Sequence, residues 1–123
     1  MRNQELRERT KQFALRVIRM FAALPKTAEA QILGKQVLRS GTSVAANYRE
    51  ATRARSRTEF RAKLGIVEQE LDETCLWLEL LVESKVVSAT RMRALQSEAD
   101  ELLKIMVASI KSSKRTPKPP QSP

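Results

Sequence analysis

No histidine occurs among the 123 residues, and a single cysteine, Cys75, stands alone. Without histidine there is neither a Cys/His metal cage nor an imidazole general base, and a lone cysteine excludes an internal disulfide. Aromatic residues make up only 4% of the chain, so a core must be built from Leu, Val, Ile and Ala packed between helices. Three glycines are too few and too scattered for a phosphate-cradling loop. No apolar run approaches the roughly 18 residues of a membrane span. The opening Met1-Arg2-Asn3-Gln4-Glu5 leads into an alternating charged segment instead of the apolar core of a signal peptide. These absences predict a cytoplasmic, non-enzymatic protein of one domain, with no cofactor and no membrane partner.

What is present is positive charge, unevenly placed. The net charge is +9. Residues 1–26 carry seven bases and two acids, residues 49–63 six and two, and residues 111–123 four and none, whereas residues 64–84 carry six acids and no base. Segregation of this kind gives one molecule a basic and an acidic surface, suited to a polyanion or to a second copy docking acid to base.

Apolar spacing predicts four helices, at about residues 3–24, 28–54, 57–84 and 89–112. The first carries Leu6, Phe13, Val17, Met20 or Phe21, and Leu24 on one face and stops at Pro25. Thr27 is placed to cap the second, whose stripe runs Ala30, Leu33, Val37, Gly41 or Ser40, Val44, Tyr48 and Ala51, widened by Ile32 and Leu38. Gly41 costs about 1 kcal/mol relative to Ala inside a helix, which implies either a close helix crossing or a break. Ser56-Arg57-Thr58-Glu59 has capping-box spacing. The third helix then follows a heptad: Phe60, Leu64, Val67, Leu71, Thr74 or Cys75, Leu78, and Leu81 or Val82. Ser88 or Thr90 opens the fourth, with Met92, Leu95, Ala99, Leu102 or Leu103, Met106 and Ile110 along one side. Residues 113–123 lack apolar side chains and contain four prolines, so they read as a disordered basic tail.

Near the end of the third helix Leu76, Trp77, Leu78, Leu80, Leu81 and Val82 are apolar nearly all round, and Trp77, Leu80 and Leu81 carry the surplus beyond one buried face. With the charged Glu79 and Glu83 beside them, they predict an oligomer interface. The carboxylates of residues 68–83 include pairs one turn apart, but a di-iron bundle needs Glu-x-x-His, and no metal site is expected. Cys75 lies at a core heptad position with no base to activate it and reads as structural.

Small residues crowd the run Arg39-Ser40-Gly41-Thr42-Ser43-Val44-Ala45-Ala46-Asn47-Tyr48-Arg49-Glu50-Ala51. Together with Arg53-Ala54-Arg55-Ser56-Arg57, Leu71-Asp72-Glu73-Thr74 and Trp77-Leu78-Glu79-Leu80-Leu81, it resembles the four-helix-bundle proteins encoded within intervening sequences of bacterial large-subunit rRNA genes, over about residues 32–84. The resemblance implies an all-α, up-down-up-down, left-handed bundle assembled as a ring-like homopentamer. Related accessory variability proteins of diversity-generating retroelements join a reverse transcriptase to its RNA. Gly41, Ser43, Asn47 and Glu50 fall in the shared pattern. Asn47 and Glu50 would either hydrogen-bond across a helix crossing or recognise a ligand. Where the family has Gly after this Glu, Ala51 stands here, so no tight glycine turn is expected.

Arg49, Arg53, Arg55, Arg57 and Arg61 gather around the junction of the second and third helices. Guanidinium forks suit phosphate oxygens, and only Phe60 interrupts the patch with an aromatic ring, so base stacking is not indicated. The alternative is a solvated or self-pairing corner. The expected function is a homo-oligomeric scaffold binding nucleic acid, structured RNA above all. The second reading is an adaptor docking an acidic partner such as a polymerase or reverse transcriptase.

Overall fold

The computed structural model describes residues 2–114. Four helices follow one another: α1 Arg2–Ala22, α2 Ala28–Ala51, α3 Arg57–Glu83 and α4 Ala89–Lys114. Connections of about five residues turn each helix back antiparallel to the one before it, as an up-down bundle requires. Tyr48, near the end of α2, donates its hydroxyl to Asn3 Oδ1 at the start of α1 (3.3 Å). α2 packs against α1 and α3, α4 against α3 and α1, and α1 and α3 are diagonal.

The starts of α2, α3 and α4 are capped by side chains. Thr27 accepts from the Ala30 amide (3.4 Å), Ser56 from Glu59 (3.1 Å) and Ser88 from Arg91 (3.2 Å), satisfying first-turn donors that have no partner within the helix. The ends differ from the sequence-based bounds. α1 stops at Ala22: the Ala23 amide is shared between the Arg19 and Met20 carbonyls, and the Leu24 amide reaches back only three residues, to Phe21. α2 stops at Ala51, and Arg53 and Ala54 close tighter turns onto Glu50 and Ala51. α4 continues through Ser113 and Lys114; the rest of the expected tail lies outside the described residues.

The core follows the sequence stripes. Phe13, Val17, Val37, Val44, Tyr48, Leu64, Leu71, Leu78, Leu81, Met92, Leu102 and Met106 are almost fully buried. Ile32, read as widening the α2 stripe, instead faces solvent at 64% exposure. Gly41 is buried within unbroken helix. A Cβ there would meet Val17 Cγ2 at 2.9 Å, so its smallness sets the α1–α2 crossing. A Cβ on Gly34 would likewise crowd Leu24 Cδ1 at 2.5 Å.

Polar contacts stitch the seams. Arg9 on α1 forks onto Glu98 on α4 (2.8 and 2.9 Å) and also bonds Glu101, which holds the guanidinium still more firmly charged. This partly buried bidentate pair spans the least extensive helix contact, and its fixed geometry distinguishes it from ordinary surface ion pairs. Arg39 on α2 joins Glu70 (3.3 Å) and Glu73 (2.9 Å) on α3.

Candidate nucleic-acid interface

The structure divides the five predicted arginines. Arg49 and Arg53 lie on the last turn of α2 and just beyond it, one helical repeat apart, and both are exposed. They share a shallow groove of about 490 Å³ with Lys11 of α1, over a floor of Ala14, Leu15, Ala45 and Ala46. Lys11 is the member that the spacing of arginines did not reveal. Glu50 is the acid of this groove, and it pairs with Lys63 of α3 at 2.6 Å, which raises the Lys63 pKa. None of Lys11, Arg49, Arg53 and Arg55 has a carboxylate ion partner among the described residues. Three cations over small side chains therefore keep their charge directed at solvent.

Arg55 is exposed in the α2–α3 connection. Arg57 opens α3 and, with Phe60, lines a second, wider hollow of about 820 Å³ at the bundle end, among Asn3, Ser56, Ser109 and Ser112. Arg61 has another task. Half-buried, it donates Nη1 to the Ser113 carbonyl at 3.0 Å, occupying an acceptor at the α4 end where cations are favoured. It leaves the phosphate-facing set.

The shared small-residue pattern also resolves differently from expectation. Asn47 donates Nδ2 to the Ser43 carbonyl one turn earlier in its own helix (2.9 Å), so it does not bridge the crossing. Glu50 does link α2 to α3, as an exposed ion pair and not as a buried hydrogen bond. The buried polar link between those helices is Ser40 with Thr74, whose hydroxyl oxygens lie 2.7 Å apart.

On α3 the predicted interface residues separate by depth. Leu81 is fully buried in its own subunit's core, because position 81 continues the heptad through Leu71, Thr74 and Leu78, and it has no surface to offer a neighbour. Trp77 and Leu80 are half-buried, Trp77 packs against the core, and its indole N–H is buried without an acceptor among the described residues. Glu79 and Glu83 are exposed. The exposed apolar residue of this segment, among the described residues, is Leu76, at 47%.

Cys75 sits half-buried with Sγ 3.5 Å from Asp100 Oδ1. Burial first, then the Asp100 charge and hydrogen bond, push the thiol up to about 12, the opposite of what a nucleophile needs. No cluster of three possible metal ligands occurs among the described residues, and no described helix is long and apolar enough to cross a membrane.

A family model described as 23S rRNA-intervening sequence protein matches residues 2–108. A crystal structure of a protein with unknown function from the S23 ribosomal protein family of Bacteroides thetaiotaomicron is similar throughout. It has a TM-score of 0.84 and 33% identity, and the match covers 90% of this chain and 99% of that one. No curated protein matches the sequence. With its four-helix architecture and a family match over nearly all the described residues, this chain belongs to the 23S rRNA-intervening sequence protein family.

Proposed function

We propose that the protein is a non-enzymatic, homo-oligomeric scaffold that binds nucleic acid, structured RNA in particular, through phosphate contacts. The observation that carries this reading is the groove where Lys11, Arg49 and Arg53 converge while the groove's acid, Glu50, is bound to Lys63. Arg55 and Arg57 extend the basic corner. The floor is aliphatic and small, with no aromatic platform and no array of donors to read base edges, so binding follows backbone charge and only weakly follows sequence. Copies of the corner repeated around an assembly add avidity without tighter individual contacts. Five copies in a ring is the arrangement the family suggests. Retention of unrelated structured RNAs by the purified protein at low salt, abolished by reversing Arg49 and Arg53, tests the reading.

A further inference from the structure

At the bundle end opposite the arginine corner, the last turns of α1 and the first turns of α4 flank a groove of about 570 Å³. Its floor includes Met20, Met92 and Leu95, and its rim carries Arg16, Arg19 and Arg91. None of these arginines pairs with a carboxylate among the described residues. Arg91 lies at the start of α4, whose first turn holds no acid, so a cation stands at the positive end of a helix where the fold gains nothing from it. An apolar floor rimmed by uncompensated guanidinium groups calls for an apolar ridge flanked by carboxylates.

The chain itself carries such a ridge. Asp72, Leu76, Glu79 and Glu83 recur at spacings of four, three and four on α3 and form one outward stripe. All four are exposed, and the three carboxylates form no ion pair among the described residues. The other acids of α3 are partly spent within the subunit, since Arg39 takes Glu70 and Glu73. The lengths agree: Leu76 to Glu83 and Ser88 to Leu95 each rise about 10 Å along their helices. α3 is diagonal to α1, so the stripe cannot turn back into its own groove.

We propose that the Asp72–Leu76–Glu79–Glu83 stripe of one copy seats in the α1–α4 groove of the next. Leu76 meets the apolar floor, and the carboxylates face Arg16, Arg19 and Arg91. This rests on the self-assembly reading above and assigns its two mating surfaces. Groove and stripe are different surfaces, so the contact is heterologous: every copy both gives and receives, and growth does not stop at two.

The test uses full-length chains, with mass by light scattering and folding by circular dichroism. Wild type should be several times 14.0 kDa. Arg19→Glu/Arg91→Glu and Glu79→Arg/Glu83→Arg should each be helical monomers. Mixing the two should restore complexes containing both, because each intact surface then finds its mate. A chain carrying all four reversals should assemble alone. If a reversal loses helicity, Leu76→Ser, at a position outside the core, replaces it on the stripe side and should also give a monomer. Assembled wild type with both double variants unchanged in mass would overturn the assignment of surfaces while leaving self-assembly standing. Monomeric variants that stay monomeric when mixed would show that the two surfaces do not mate with each other. A monomeric wild type would remove self-assembly and this contact with it.

Discussion

The hydroxyl oxygens of Ser40 on α2 and Thr74 on α3 lie 2.7 Å apart, both fully buried, and Thr74 Oγ1 is also 2.7 Å from the Glu70 carbonyl. Two hydroxyls supply two protons: one joins the pair, and the other goes to a backbone carbonyl. Thr74→Val keeps the shape but leaves Ser40 with only a long contact to the Val37 carbonyl (3.5 Å), so it should cost about 1–3 kcal/mol. Ser40→Ala/Thr74→Val removes both partners and should cost clearly less than the two single changes added together. Urea unfolding of the three variants measures this.

Two helical glycines should respond in opposite ways to the same change. Gly41→Ala drives a methyl to 2.9 Å from Val17 in the packed α1–α2 crossing, and overpacking of that kind costs about 1–3 kcal/mol, more than the improved helix propensity returns. Gly65 has nothing within 4 Å of the position its Cβ would take. Gly65→Ala should stabilise by about 0.5–1 kcal/mol. Thermal melts that rise for the first or fall for the second would contradict this packing.

The Cys75 thiol, held up to about 12 by burial and then by Asp100, remains protonated at pH 8. Its folded pKa exceeds the ordinary value, so the native state keeps a proton that the unfolded chain releases between about pH 9 and 12, and this thiol's contribution to stability falls as pH rises through that window. Alkylation at pH 8 should be slow in the native protein and fast in denaturant. Asp100→Asn, which removes the nearest negative charge, should speed the native reaction.

The helices were readable because apolar spacing and cap chemistry are local properties. Ser56 and Thr27 announce starts that the backbone then makes, and Gly41 within an apolar stripe signals a close crossing. The site was readable only in part, because its composition depends on the register between helices. Nothing in the spacing of Arg49 and Arg53 points to Lys11, about forty residues away, until α1 lies antiparallel to α2. Arg61 looks like its arginine neighbours until the end of α4 arrives to take its donor. Leu81 looked like surplus apolar surface beside Trp77 and Leu80, but the heptad phase directs it inward, and the exposed residue is Leu76.

Phosphate recognition by the Lys11, Arg49 and Arg53 groove is measured most directly by the salt dependence of RNA binding. Association constants for a structured RNA, taken between about 50 and 200 mM salt, should fall linearly on a log-log plot. Each lost phosphate contact should reduce the slope by about 0.7 to 0.9, so Lys11→Glu/Arg49→Glu/Arg53→Glu should flatten it by about two or more and weaken unrelated RNAs by similar factors. The variant must keep the helicity and mass of the wild type. Absence of measurable affinity of the unmodified protein at about 50 mM salt, where such contacts are strongest, or a slope that the triple variant leaves unchanged, would contradict the assignment.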